Sequence, residues 1–236
     1  MAIALSGVAV ASGAAVQRIT GLGFSLVCVP FLAVALGPLE GVRLVNVLAC
    51  VVGVGVLFRA HVHTRWRDVL RFLLPALVVG PVAGQLARRA DPPVLSVVVG
   101  AVTLACVLLL ASGLRVRALH GTAGAVAAGS ASAAMNTMAG VGGPTIAMFG
   151  INAGWEHEEM RGTMAAYFLG LNVVSIASLG PPTDPVPNLP VLGCVALLGV
   201  VLGSVAAPRV PAHRLRTLVL VVAAIGSVVA IVKGLL

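Results

Sequence analysis

The residues best suited to meeting a ligand lie between Met135 and Pro144, in the run Met-Asn-Thr-Met-Ala-Gly-Val-Gly-Gly-Pro. Three glycines, Asn136, Thr137 and a proline interrupt an apolar stretch, where a lipid-facing helix tolerates neither unpaired backbone nor stray amides. Glycine permits a reversed backbone and close approach, and Pro144 suits the first turn of a new helix. The amides of Gly142, Gly143 and Thr145 are therefore expected to point into a cavity, and a helix N-terminus of that kind attracts anions. An echo lies 119 residues upstream in Thr20, Gly21, Leu22, Gly23, Phe24 and Ser25, with Gly21 falling on Gly140 and Gly23 on Gly142. The candidate site is Arg18, Thr20, Gly21, Gly23, Ser25, Asn136, Thr137, Gly140, Gly142, Gly143, Pro144 and Thr145. Asn136, Thr137, Thr20 and Ser25 would add neutral hydrogen bonds to bound oxygens. The other use of such glycines is close helix packing, since small residues are favoured where membrane helices meet.

Arg18 stands beside the upstream break. A charge at a helix centre costs about 2.5 to 3.5 kcal/mol on insertion scales, so Arg18 either faces a substrate or snorkels to the interface. Arg43 and Arg161 open equivalent apolar spans and are either gate or surface residues; the surface role is favoured, while their shared register keeps the gate role open. Asn46 and Asn172 lie inside spans and either line the cavity or bond neighbouring helices, the second being preferred. No Asp or Glu lies well inside a span, so a coupling ion would be held by backbone, hydroxyls or the substrate itself. His61, His63, His120, His157 and His213 are not grouped as metal ligands are, and no metal or cofactor is expected. Cys28, Cys50, Cys106 and Cys194 sit in apolar runs without a Cys-x-x-Cys, as small hydrophobes do. No nucleophile, base or metal set suggests an enzyme.

The elements that carry these residues are membrane helices. Of 236 residues 59% are apolar and 9% charged, against about 25% charged in soluble domains, and the mean hydropathy is +1.10. The net charge of +8 sits in short clusters between apolar runs with no aromatic platform, so it reads as a topology signal and not as a nucleic-acid surface. Apolar segments run over 2–16, 24–36, 42–58, 72–86 and 94–114, and again over 121–139, 145–153, 161–179, 189–206 and 218–232. The first two span only about 20 to 23 Å each at 1.5 Å per residue, short of a hydrocarbon core of roughly 30 Å. Each broken pair either crosses twice or re-enters. The 2–16 run lacks the basic start of a signal peptide and has a counterpart downstream, so it is expected to stay in the mature chain.

The fold expected is an all-α polytopic membrane protein of two repeats, residues 1–116 and 117–236, each starting with a broken or re-entrant helix pair. A unit of five segments is odd, so its copy enters the membrane from the other side and the repeats are inverted. Arg18, Arg59, Arg65, Arg67, Arg71, Arg115, Arg117, Arg161, Arg209, Arg214 and Arg216 then share one face, against Arg43, Arg88, Arg89 and Lys233 on the other. The eleven mark the cytoplasmic side, which puts both termini outside.

Gly21-x-Gly23 with Pro30 after it, the small-residue run into Ala139-Gly140-Val141-Gly142-Gly143-Pro144, and Arg161 followed by Asn172 together resemble the sulfite exporter TauE/SafE family of membrane permeases. Phe24 stands where many members carry another glycine. The resemblance implies transport of a small sulfur-containing or carboxylate anion, such as sulfite or an organosulfonate, across a prokaryotic plasma membrane. The expectation is a secondary transporter working by alternating access, with a lipid bilayer and a small anion as its partners and no nucleic acid. A passive anion channel is the alternative, and a non-catalytic membrane assembly partner stands behind it.

Overall fold

The computed structural model describes residues 2–20, 23–113, 119–183, 189–206 and 212–236, with side chains over 6–17, 23–113, 119–183, 189–205 and 217–236. Among the described residues the regular structure is helical. It comprises α1 (Ala2–Thr20), α2 (Phe24–Leu36), α3 (Pro38–Ala60), a 3-10 turn (His61–His63), α4 (Trp66–Arg89), α5 (Pro92–Ser112), α6 (Gly121–Ala139), α7 (Gly143–Asn152), α8 (His157–Leu179), α9 (Leu189–Ala206) and α10 (Ala212–Leu235). Each expected apolar segment is present as a helix. Five described stretches, Pro38–His63, Trp66–Arg89, Pro92–Ser112, His157–Leu179 and Thr217–Leu235, are long and apolar enough to cross a membrane. Leu70, Leu74, Val78, Val82 and Leu86 form an exposed apolar stripe along α4, the face a lipid solvent calls for.

One length differs from the sequence reading. α1 continues through Gln17 and Arg18 to Thr20, because both side chains are good helix formers and an apolar run is no limit on helical backbone. Its 19 residues reach about 28 Å, while α2 with 13 and α7 with 10 remain short. α1 and α6 both run 19 residues and start 119 apart, and α3 and α8 both run 23 and also start 119 apart.

The breaks have a local cause. Gly140 ends α6 in the left-handed region at φ 67°, its amide bonded to the Asn136 carbonyl at 2.7 Å, and Pro144 lies in the first turn of α7. Gly23 precedes α2 at φ 134°, a conformation that side chains rarely adopt.

Close helix approach at small residues sets the directions of packing. A Cβ on Gly129 of α6 would fall 2.6 Å from the Phe72 carbonyl of α4, and Gly80 of α4 lies near Thr137, so α4 and α6 run parallel. Gly199 and Gly203 of α9 meet Ala11 and Ala15, so α1 and α9 also run parallel. Gly100 faces Ser227 and Gly234 faces Pro93, so α5 and α10 are antiparallel. α3 and α8 are antiparallel as well: Arg43 near the start of α3 reaches Leu179 at the end of α8, whereas Arg65 just past α3 reaches Glu159 near the start of α8. Hydrogen bonds to Asp68 and Glu159 hold the Arg65 guanidinium above its ordinary pKa.

Two cores result. One draws on α1, α2, α3, α5, α9 and α10. The other is built from α4, α6, α7 and α8 around Phe72, which meets Phe149 edge-on at 5.1 Å and Tyr167 at 5.5 Å. The buried members by which the first core extends into the second group are Ala87, Ala139, Val141 and Leu179, at or next to helix ends, with the half-buried Met135 of α6 packed against them.

Candidate functional site

α3 and α8 each turn one stripe toward a common space. Ala49, Gly53 and Val56 recur every three or four residues on α3, as do Arg161, Met164, Ala165, Phe168, Leu169 and Asn172 on α8. Between them lies a cavity of about 90 Å³, closed further by Gln17 of α1, Leu110 of α5, Asn136 of α6 and both helix breaks. That is room for several waters or one small polyatomic ion, since a single water occupies about 10 to 15 Å³ on this measure. Gln17, Val56, Leu110 and Arg161 lie near those ends of their helices that share the arginine-rich α3–α4 face.

Both breaks wall the same space. Gly23, Phe24, Ser25 and Leu26 contribute from the first, and Val141, Gly142, Gly143 and Pro144 from the second. Neither helix start carries a side-chain cap. The first-turn amides of Phe24, Ser25 and Leu26 have no acceptor within their helix, so wall residues carry the partial positive charge of a helix N-terminus. Arg161 adds a full one. No carboxylate stands on the wall among the described residues.

At the deep end, the Asn136 amide nitrogen lies 2.9 Å from Asn46 Oδ1, 3.1 Å from Asn172 Oδ1 and 3.2 Å from Ser175 Oγ. Its two hydrogens are shared among three acceptors on α3 and α8. Asn46 and Asn172 thus bond a neighbouring helix as their sequence positions suggest, and Asn172 also lines the cavity.

The other expected residues divide. Thr137 is fully buried and exchanges a 2.9 Å hydrogen bond with Ser175, away from the wall. Gly140 packs against Val29, and Thr145 donates to the Gly142 carbonyl at 3.1 Å. The Arg18 and Thr20 side chains, and Gly21 altogether, lie outside the described residues. Of the two arginines favoured for the surface, Arg43 is buried instead, while Arg161 stays partly exposed. Arg43 is 9% exposed and bound to the end of α8, and Arg161 lines the cavity. A signal for Arg161 was present in the chain: it precedes Asn172 by eleven residues, three helical turns, so both lie on one face.

A family model described as Sulfite exporter TauE/SafE matches residues 5–230. The chain belongs to that family. TauE/SafE proteins are membrane permeases, transporters and not enzymes, which makes this cavity the place to look for a transported solute. Comparison with curated proteins and with solved structures gives no match. Among the described residues no three His, Cys, Asp or Glu side chains come together as a metal site.

Proposed function

We propose that this chain is a secondary transporter that binds a small sulfur-containing or carboxylate anion between its two broken helix pairs and releases it by alternating access. The observation that carries this reading is that two breaks 119 residues apart line one cavity whose only full charge among the described wall residues is Arg161. Uncapped helix starts, amide donors and a guanidinium all favour an oxyanion. The site consists of Gly23, Ser25, Asn136, Gly142, Gly143 and Pro144 from the sequence reading, joined by Arg161, with Arg18, Thr20 and Gly21 at the upstream break.

We read the two halves as inverted repeats, which suit this mechanism. A two-fold axis in the membrane plane sets equivalent helices antiparallel, which is how α3 lies to α8 and α5 to α10. The same axis exchanges the α1–α9 pair with the α6–α4 pair, and both pairs run parallel. The arginine-rich face is then cytoplasmic, with both termini outside a prokaryotic plasma membrane.

The test is thermal unfolding of detergent-purified protein with sulfite, sulfate, sulfoacetate, acetate and chloride, because a ligand that binds the folded state raises Tm by mass action. A rise with one oxyanion that is lost in Gly143→Leu, together with saturable uptake of that anion into liposomes, is the expected result. No rise and no uptake across the panel would refute the reading.

A further inference from the structure

Two Glu-x-x-Arg pairs open equivalent helices, Glu40 with Arg43 on α3 and Glu158 with Arg161 on α8, 118 residues apart. The structure holds them in different states. Arg43 donates to the Leu179 carbonyl from Nε at 3.0 Å and from Nη2 at 2.6 Å, and to Thr183 Oγ1 at 3.2 Å, while pairing with Glu40. Glu40 in turn accepts from the Thr183 amide at 3.1 Å and its hydroxyl at 2.8 Å. A cation at the last carbonyls of a helix satisfies groups that have no acceptor role inside it and favours the helix dipole. This clasp joins α3 of one helix group to α8 of the other, on the face where Ala87, Ala139, Val141 and Leu179 merge the two cores.

Arg161 keeps the pair with its own glutamate, a 3.4 Å bond to Glu158, but is not clasped to a helix end; its side chain is 24% exposed and it lies on the cavity wall, where Arg43 does not. By helix boundaries, which repeat at 119, the end of α8 at Leu179 matches the end of α3 at Ala60, and Arg43 matches Gly162, one residue past Arg161. A Cβ on Gly162, next to Arg161, would fall 2.5 Å from the Ala60 carbonyl, so the matching acceptor is one residue away and in this state accepts from the Thr64 hydroxyl at 3.3 Å.

We propose that the two Glu-x-x-Arg pairs are exchangeable gates: the arginine of the shut face clasps the end of the opposite helix, while its counterpart on the other face turns to the cavity and meets the anion. The present state has the Arg43 face shut and Arg161 available. Closing the arginine-rich face transfers Arg161 to the Ala60 carbonyl and frees Arg43, so a cation always attends the accessible side of the site. The inference rests on the transporter reading above and assigns its gates.

The experiment uses the full chain carrying Ala165→Cys on the cavity wall, with Cys50→Ser and Cys194→Ser, in right-side-out and inside-out membrane vesicles. A membrane-impermeant maleimide reports the ratio of labelling rates from the two faces. The parent chain is expected to label faster from the arginine-rich face. Arg43→Ala should shift that ratio toward the opposite face by about tenfold or more, the scale on which losing charge-assisted hydrogen bonds moves an equilibrium. Glu40→Gln and Thr183→Ala should shift it the same way by less, and they decide the matter if Arg43→Ala does not insert. Arg161→Ala should leave the preference in place. A ratio unmoved by all three variants on the Arg43 side overturns the gate. Flux of labelled sulfite, sulfoacetate and acetate in the same vesicles separates the two ideas. Transport with an unmoved ratio leaves the transporter reading and removes the gate. A moved ratio with no flux of any of the three keeps the gate and removes the anion.

Discussion

Asn136 has more acceptors than hydrogens, and each acceptor belongs to a helix of the cavity wall. Replacing it by leucine leaves Asn46 Oδ1, Asn172 Oδ1 and Ser175 Oγ short of a buried donor. The expected loss is about 1 to 3 kcal/mol, read as a lower thermal midpoint in detergent without any anion added. Asn136→Asp keeps the shape but sets a negative charge facing acceptors and at the deep end of an anion site. It should abolish any sulfite-dependent rise in Tm, whereas a rise equal to that of the parent chain would place the anion elsewhere. Asn136 was visible in the sequence because a polar side chain inside an apolar run needs a partner. Arg43 was misread for a physical reason. An arginine in the second turn after Pro38 resembles any interfacial charge, and the carbonyl that holds it belongs to Leu179, 136 residues away.

Helix boundaries show the same division at the scale of elements. The ends of α6 and the start of α7 follow from Gly140 and Pro144, local signals that need no tertiary contact. Gly140→Ala combines a strained φ of 67° with a Cβ 2.7 Å from Val29 Cγ2, so it should destabilise by about 1 to 3 kcal/mol. Measured melting of Gly140→Ala beside Gly113→Ala checks this. Gly113 shares the reversed backbone but has open space around it, so the difference between the two isolates the packing against α2. Gly129→Leu should separate α6 from α4 and lower the yield of folded protein, since the Phe72 backbone cannot retreat as a side chain would. α1 was drawn too short from hydropathy because Gln17 and Arg18 lower the local average while continuing the helix.

At the scale of the whole molecule, the two larger cores do not follow the proposed division into repeats 1–116 and 117–236. α4 joins α6, α7 and α8, while α9 and α10 join the first three helices and α5. The bodies that would rock are therefore mixed, one taking α9 and α10 from the second half and the other taking α4 from the first, and the cavity lies where they meet. The topology yields a direct expectation: His63→Cys and Lys233→Cys, in the same reduced-cysteine chain, should label from opposite sides of oriented vesicles, with His63→Cys reacting from the cytoplasmic side. Labelling of both from one side would reverse the parity argument.

Composition, apolar period and glycine-proline punctuation determined by themselves that this chain is a membrane protein of ten helical segments with two breaks in register. Those properties are set over a few turns of chain, where hydropathy and backbone geometry act locally. Which breaks share a cavity, which of two matched arginines lines it and which clasps a helix end were decided by tertiary structure alone. Both arginines sit in the same local sequence, Glu-x-x-Arg at a helix start. They differ only in what the opposite helix presents, and the packing of α3 against α8 brings that partner to Arg43 from more than a hundred residues away.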